Sequence, residues 1–312
     1  MAAAICGGFA NLQYLSRLSK KALMASRIAF IGLGIMGGPM AGHLLAAGHS
    51  LVVHTRTKAR ATDLLSRGAK WGDSPAEAAK QADFVFICVP DTPDVQAVAS
   101  AMLPAARAGQ IIIDHSTISP SATQEMAKQF APRGAQWLDA PISGGDVGAK
   151  NATLSIMVGG DEAAFKSALP FLEKLGKTIT WCGPSGSGQL TKLVNQILVS
   201  VTNLAACEAL TFARAFGLEP QKTIAAVGGG AAGSWQLSNL GPKMLAGDFR
   251  PGFMIKLQQK DLRLALQACK ERGLRLEALN LVHRLFDRAL EEGRADEGTQ
   301  ALFAIVEKNA KA

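Results

Sequence analysis

Phe30-Ile31-Gly32-Leu33-Gly34-Ile35-Met36-Gly37 joins a short apolar run, Ile28 to Gly32, to a segment carrying Met40, Leu44 and Leu45 at helical spacing. A G-x-G-x-x-G spacing at such a junction lets the chain turn tightly at Gly32, brings the backbone at Gly34 close to a ligand, and lets helix and strand approach at Gly37. The partial positive charge of the helix N-terminus then favours a pyrophosphate. Gly-rich turns abound, so the spacing alone is weak. Its weight comes from the strand directly before it and the helix directly after.

Further apolar runs follow at Leu51 to His54, Phe84 to Val89, Ile111 to Asp114 and Trp137 to Leu138, bounded by Gly, Pro or polar clusters and separated by amphipathic stretches. That alternation is the pattern of βαβ units and of a parallel sheet buried on both faces. From Ser187 onward, Leu, Ala, Lys and Glu at helical spacing replace the strand pattern. A long helix from about Gly188 to Phe216 opens this part, and breakers at Gly217, Gly228 to Gly230, Gly233, Gly241 with Pro242, and Pro251 with Gly252 divide the rest. The fold expected is α/β: a Rossmann-type doubly wound, mostly parallel sheet followed by an all-α C-terminal domain joined by a long helix. The 312 residues then divide into an N-terminal extension over 1–24, a dinucleotide-binding domain over 25–186 and a helical domain over 187–312.

Composition narrows the function classes. With 48% hydrophobic and 19% charged residues, the chain has the makings of buried cores and not of a disordered segment. The greasiest stretch, Leu190 to Leu210, is interrupted by Lys192, Asn195, Gln196 and Asn203, so no run of about 18 consecutive apolar residues marks a membrane span, and no membrane partner is expected. Five widely separated cysteines without a C-x-x-C pair point to reduced thiols in the cytoplasm and to no metal site. The net charge of +8 is local: seven of the 33 basic residues precede Asp63, the first acid, and the remaining 26 face 25 acidic ones. No basic stripe interleaved with aromatics accompanies it, so nucleic acid is not an expected partner. Residues 1–24 are basic and free of acids, which fits a mitochondrial or plastid transit peptide or a leader without structure of its own.

An NAD site would place Asp or Glu about 20 residues beyond the glycines, whereas this sequence offers His54-Thr55-Arg56-Thr57-Lys58. Arg56 can grip a 2′-phosphate with a planar fork of donors, and Thr55 and Thr57 add hydroxyls, so NADP is favoured and NAD stays open; the alternative is a surface arginine with relaxed adenosine recognition. The loops Val89-Pro90-Asp91-Thr92-Pro93-Asp94 and Asp114-His115-Ser116-Thr117 follow the fourth and fifth strands, where ligand contacts and ordinary turns both occur. His115 has no second His or orienting partner and reads as structural.

Lys192, Asn195 and Gln196 stand at i, i+3 and i+4, on one face of the long helix, while Leu190, Leu193, Val194, Ile197 and Leu198 cover the others. A lysine on a buried helix is costly unless wet, paired or employed. Desolvation lowers its pKa, as a proton donor to a carbonyl oxygen requires; a lysine snorkelling at a domain junction is the alternative. Ser143-Gly144-Gly145 can present successive N–H groups to a carboxylate, or be a plain turn.

Gly32-Leu33-Gly34-Ile35-Met36-Gly37, Asp139-Ala140-Pro141-Ile142-Ser143-Gly144-Gly145, Gly188-x-x-x-Lys192-x-x-Asn195-Gln196 and Lys260-Asp261-Leu262 occur in the order and spacing of the β-hydroxyacid dehydrogenases, which the chain resembles from about Arg27 to its last helix. That group includes 3-hydroxyisobutyrate dehydrogenase, tartronate semialdehyde (2-hydroxy-3-oxopropionate) reductase and glyoxylate or succinic semialdehyde reductases. The resemblance implies an NAD(P)-dependent enzyme working on a small carboxylate, and a homodimer or homotetramer. It implies Lys192 as general acid and base, with Asn195 fixing the substrate's hydroxyl or carbonyl. Ser143, Gly144 and Gly145 would hold the carboxylate, Thr117 and Lys260 would contact the cofactor, and Val89 and Pro90 would line its nicotinamide ribose. The implied reaction is reduction of a short carboxylated aldehyde at a site formed at the domain interface, with Gly233-Ser234-Trp235 setting an aromatic near the substrate mouth. Oxidation of 3-hydroxyisobutyrate is the alternative within the family, and a non-catalytic binding role is the alternative outside enzymes.

Overall fold

A computed structural model of the chain describes residues 26–310, so the expected extension over 1–24 lies outside the described residues. The chain divides into two compact units between Gln189 and Leu190.

The first unit is built on a nine-stranded sheet: β1 (Arg27–Ile31), β2 (Ser50–His54), β3 (Lys70–Trp71), β4 (Phe84–Ile87), β5 (Ile111–Asp114), β6 (Gln136–Asp139), β7 (Ile142–Ser143), β8 (Leu154–Gly159) and β9 (Gly176–Gly183). The spatial order is β3-β2-β1-β4-β5-β6-β8-β7, with β9 on the free side of β8. Every pair from β3 to β6 is parallel, β8 runs antiparallel to β6 and β7, and β9 is parallel to β8. The doubly wound, mostly parallel sheet is as the sequence pattern indicates. Strands β3 and β7 escape that pattern because they are two residues long, and β9 because half of its residues are exposed; β8 is mostly buried, but Ser155 interrupts its apolar run. Between β1 and β4 the winding reverses, and in such sheets ligands bind at the carboxyl ends of the strands flanking that reversal.

Successive side chains of a strand point to opposite faces, and the two faces carry separate cores. Ile28, Phe30, Phe86, Ile113 and Leu138 pack on one side with Met40, Leu44 and Phe171, whereas Ala29, Ile31, Val85, Ile87, Ile112 and Trp137 pack on the other with Val95, Met102 and Phe130. Double-sided burial is why these strands read as unbroken apolar runs. Helices α1 (Gly37–Ala46), α2 (Thr62–Ser66), α3 (Pro75–Ala79), α4 (Thr92–Met102), α5 (Pro120–Phe130), α6 (Gly145–Lys150) and α7 (Glu162–Leu172) connect the strands. Ser74, Asp91, Ser119 and Asp161 each accept an N–H of the helix they precede, stopping the helix short of the strand before it.

Helix α8 (Ser187–Ala215) starts at the end of the first unit and continues through the second, which adds α9 (Pro220–Gly228), α10 (Gly241–Ala246), α11 (Ile255–Glu271), α12 (Glu277–Glu291) and α13 (Leu302–Ala310). Its core joins Leu193, Leu204, Cys207 and Leu210 of α8 to Leu262 of α11, Phe286 of α12 and Phe303 of α13. Gly241 and Pro242 do not break the chain as expected. A π-type turn over Gln236–Leu240 runs straight into α10, and such a turn accommodates a proline whose missing N–H an α-helix would need.

One expectation about α8 needs correction. By length and composition the helix could cross a membrane, so run length alone does not exclude one. Along the helix Leu190, Val194 and Leu198 are exposed, while Leu193 and Leu204 are buried together with Lys192, Gln196, Ser200 and Asn203. Three of the polar groups find partners inside the unit: Gln196 Nε2 donates to Asp261, Ser200 Oγ to the Ile197 carbonyl, and Asn203 Nδ2 to the Thr299 carbonyl at 2.9 Å. A lipid-facing helix would have no reason to collect such groups along one stripe.

Candidate active site

The three glycines of the first loop do three different jobs. Gly32 has φ +97°, and a Cβ there would lie 2.2 Å from the Cys88 carbonyl oxygen, so only glycine makes this turn. A Cβ on Gly37 would lie 2.0 Å from the Gly32 carbonyl oxygen, which makes it the close-packing position. A Cβ on Gly34 would meet nothing within 4 Å, so the chain there borders open space at the entrance of α1. Leu33 is buried in the core beneath, Ile35 is exposed, and Met36 leads into α1 without a side-chain cap. The uncapped N–H groups and the room over Gly34 fit a dinucleotide pyrophosphate.

At the end of β2, Thr55 is buried, and the Arg56 guanidinium pairs with Asp94 of α4 through Nη1 to Oδ1 at 3.0 Å. Thr57 is exposed. Val89 N donates to Ser116 Oγ at 3.0 Å, which fixes the Val89-Pro90 turn against the loop after β5. Thr117 sits in that loop between two backbone groups gripped by one side chain: Gln189 Nε2 donates to the Ser116 carbonyl at 2.8 Å, and Gln189 Oε1 accepts Ile118 N at 3.1 Å. His115 is buried, its pKa pushed down to about 4 by that burial, and Nδ1 donates to the Ala140 carbonyl at 2.7 Å. It is neutral near pH 7 and fully engaged in packing on that side.

Asp139 closes β6 with a carboxylate that has no access to solvent, accepting Gly186 N at 2.8 Å and Gln189 N at 2.9 Å. Burial raises its pKa while those N–H donors oppose the rise. Gly159 and Gly188 make the room: a Cβ on Gly159 would lie 2.6 Å from Asp139 Oδ2, and one on Gly188 2.6 Å from the Asp139 carbonyl. The sequence motif contains Asp139 but gives no sign of this grip. Only the pairing of β6 with β8 brings the carboxylate to the first turn of α8. Two residues beyond Pro141, Ser143 ends β7, and Gly144 and Gly145 follow with φ +132° and +64°, the space above Gly145 being open.

In the second unit Lys192 is 6% exposed. Burial lowers its pKa to about 8; the Asp261 carboxylate raises it and the Lys260 ammonium lowers it further. Asn195 Nδ2 donates to Gln196 Oε1 at 2.7 Å, Gln196 Nε2 donates to Asp261 Oδ2 at 2.5 Å, and Lys260 Nζ pairs with Asp261 Oδ1 at 2.8 Å. Asn195 and Lys260 of the sequence reading are thus joined through Gln196 and Asp261, which stand in the same two motifs, and Asp261 also acts electrostatically on Lys192. Trp235 is exposed.

Comparison with known proteins follows this division of the chain. Residues 27–183 match the family model of the NAD binding domain of 6-phosphogluconate dehydrogenase, and residues 186–306 that of the NAD-binding region of NADP-dependent 3-hydroxyisobutyrate dehydrogenase. The 2-hydroxy-3-oxopropionate reductase of Escherichia coli K12 is 43% identical over 284 residues, covering 90% of this chain and 97% of the relative. A probable mitochondrial 3-hydroxyisobutyrate dehydrogenase-like protein of Arabidopsis thaliana is 40% identical over 287 residues, 91% of this chain and 86% of the relative. Among solved structures, 3-hydroxyisobutyrate dehydrogenase of Mycobacterium tuberculosis with L-serine superposes with a TM-score of 0.85 at 32% identity, covering 91% of this chain and 99% of the other. With glycine loop, buried lysine and both family models in register, the chain belongs to the β-hydroxyacid dehydrogenase family, NAD(P)-dependent oxidoreductases acting on CH–OH groups.

Proposed function

We propose that the chain is an NADPH-preferring reductase of short carboxylated aldehydes, of the tartronate semialdehyde, succinic semialdehyde or glyoxylate type, yielding the hydroxy acid. The observation that carries this reading is Lys192, an ammonium buried beside Asp261 whose pKa of about 8 lets it release a proton near neutrality. When bound, the reduced nicotinamide supplies a hydride to the carbonyl carbon. Lys192 Nζ gives its proton to the carbonyl oxygen and is left as the neutral amine; in the oxidative direction the amine takes that proton back. Asn195, its amide held by Gln196, orients the oxygen. Ser143, Gly144 and Gly145 hold the carboxylate through a hydroxyl and backbone N–H groups. Residues Gly32 to Gly37, Val89, Pro90, Thr117 and Lys260 hold the cofactor, and Thr55, Arg56 and Thr57 recognise its 2′-phosphate.

Steady-state reduction of tartronate and succinic semialdehydes by Lys192→Ala tests the assignment. Loss of a positioned general acid costs about 10²- to 10⁴-fold in kcat, and an alanine variant that keeps most of its turnover refutes the role. The match to a 3-hydroxyisobutyrate dehydrogenase model supports a second reading, oxidation of 3-hydroxyisobutyrate by the same residues in reverse. The ratio of kcat/KM for the two acids separates them. The proposal extends to a cytoplasmic homodimer or homotetramer, supported by the reduced thiols of Cys182, Cys207 and Cys269 and by the exposed side chains of Leu190, Val194 and Leu198 on α8.

A further inference from the structure

The end of β2 lacks the acid that selects NAD, yet the fold delivers a carboxylate to the same place from another strand end. Asp94 stands in the first turn of α4, and its Oδ1 lies 3.0 Å from Arg56 Nη1. The two side chains are 27% and 79% exposed, so the pair sits at the surface where an adenosine ribose carrying a 2′-phosphate has to arrive if Arg56 is to grip it. Asp94 is not needed to start α4, because Asp91 Oδ1 already accepts Thr92 N at 2.7 Å. Its Oδ1 instead faces the Arg56 guanidinium.

We propose that Asp94 is a specificity-determining residue that holds down the preference for NADPH over NADH by competing with the 2′-phosphate for Arg56. The inference rests on the reading of Arg56 as the phosphate arginine. A 2′-phosphate must displace the carboxylate from the guanidinium or share it, and in either case two anions face each other. A ribose 2′-hydroxyl meets no such opposition and can donate a hydrogen bond to the carboxylate. Two cofactors are then served by one pair: Arg56 for the phosphate, Asp94 for the hydroxyl.

The test is the dissociation constants of NADPH and NADH, measured by titration calorimetry on the full chain for wild type, Asp94→Asn, Arg56→Ala and the double variant. Asp94→Asn keeps the shape of the side chain; Asp94→Ser serves as a second variant should the first unfold. Removing the competing charge should raise the NADPH-over-NADH preference about three- to tenfold, the range expected of a partly exposed ion pair together with relief of repulsion. Arg56→Ala should lower the preference, and in its background Asp94→Asn should add less than it does alone. If Arg56→Ala lowers the preference while Asp94→Asn leaves it within twofold, Asp94 is no competitor and the arginine reading survives. If Arg56→Ala leaves the preference unchanged, both fall.

Discussion

The Gln196 side-chain amide donates to Asp261 Oδ2 at 2.5 Å, tying the helix that carries Lys192 to the helix that carries Lys260. Through this link a buried carboxylate is held in the electrostatic neighbourhood of a buried ammonium, raising a pKa that burial alone would depress further. The balance, about 8, is the value around which the chemistry should switch.

Reduction needs the ammonium form and oxidation the amine. In the reductive direction kcat/KM should be flat below about pH 8 and fall tenfold per pH unit above it, with the mirror-image profile for oxidation. Asp261→Asn removes the opposing charge and should carry the limb to lower pH. A limb that stays put in that variant, measured over pH 6 to 10 with a buffer series, removes Asp261 from the account.

Lys192 should also cost stability. Its pKa falls from 10.5 to about 8 on folding, so between those values the unfolded chain binds the proton that the native chain has released. Native stability therefore rises with pH across that window and is lowest below it. Lys192→Met, which removes the buried charge while keeping most of the volume, should raise the unfolding free energy near pH 7 by roughly 2–3 kcal/mol. Urea unfolding at pH 7 and pH 10 checks this, and a gain as large at pH 10 as at pH 7 contradicts it.

The glycines of the first loop should separate folding from binding. Gly37→Val puts a side chain onto the Gly32 carbonyl, and should cost several kcal/mol, on the order of other overpacking changes. Gly34→Ala adds a methyl with no neighbour within 4 Å and should unfold with a melting temperature near wild type, while cofactor affinity drops at least about tenfold. Melting curves and cofactor titrations of the two variants should diverge in opposite directions. Equal destabilisation of both would mean that Gly34 is a packing glycine.

Asp139→Ala should be among the most damaging single changes in the first unit. It strands the N–H groups of Gly186 and Gln189 in a buried place and leaves the start of α8 without its acceptor, a loss of about 2–5 kcal/mol. Chemical denaturation gives the value directly. A loss below about 1 kcal/mol would show that backbone rearrangement supplies other partners.

How much of this was legible beforehand varies with the range of the interaction. Runs such as Phe84 to Ile87 announce themselves because burial on both faces of a parallel sheet demands uninterrupted apolar residues. The two-residue strands Lys70–Trp71 and Ile142–Ser143 carry too few positions for any period to register. On α8 the spacing put Lys192, Asn195 and Gln196 on one face, but which residues are buried depends on the helices packed against it, and Lys192 and Gln196 are buried alongside Leu193 while Leu190 and Val194 are not.

The order of elements, the glycine loop and the lysine's place on a helix are local properties of the chain, since turn geometry and helical periodicity act over fewer than about ten residues. Long-range packing, by contrast, makes Asp139 grip the start of α8, sets Asp94 on Arg56, and lets Gln196 join Lys192's helix to Asp261. These partners lie 38 to 65 residues apart in the chain. Their meeting is set by strand order and helix packing, and the charge on each is governed by how much water the assembled fold excludes around it.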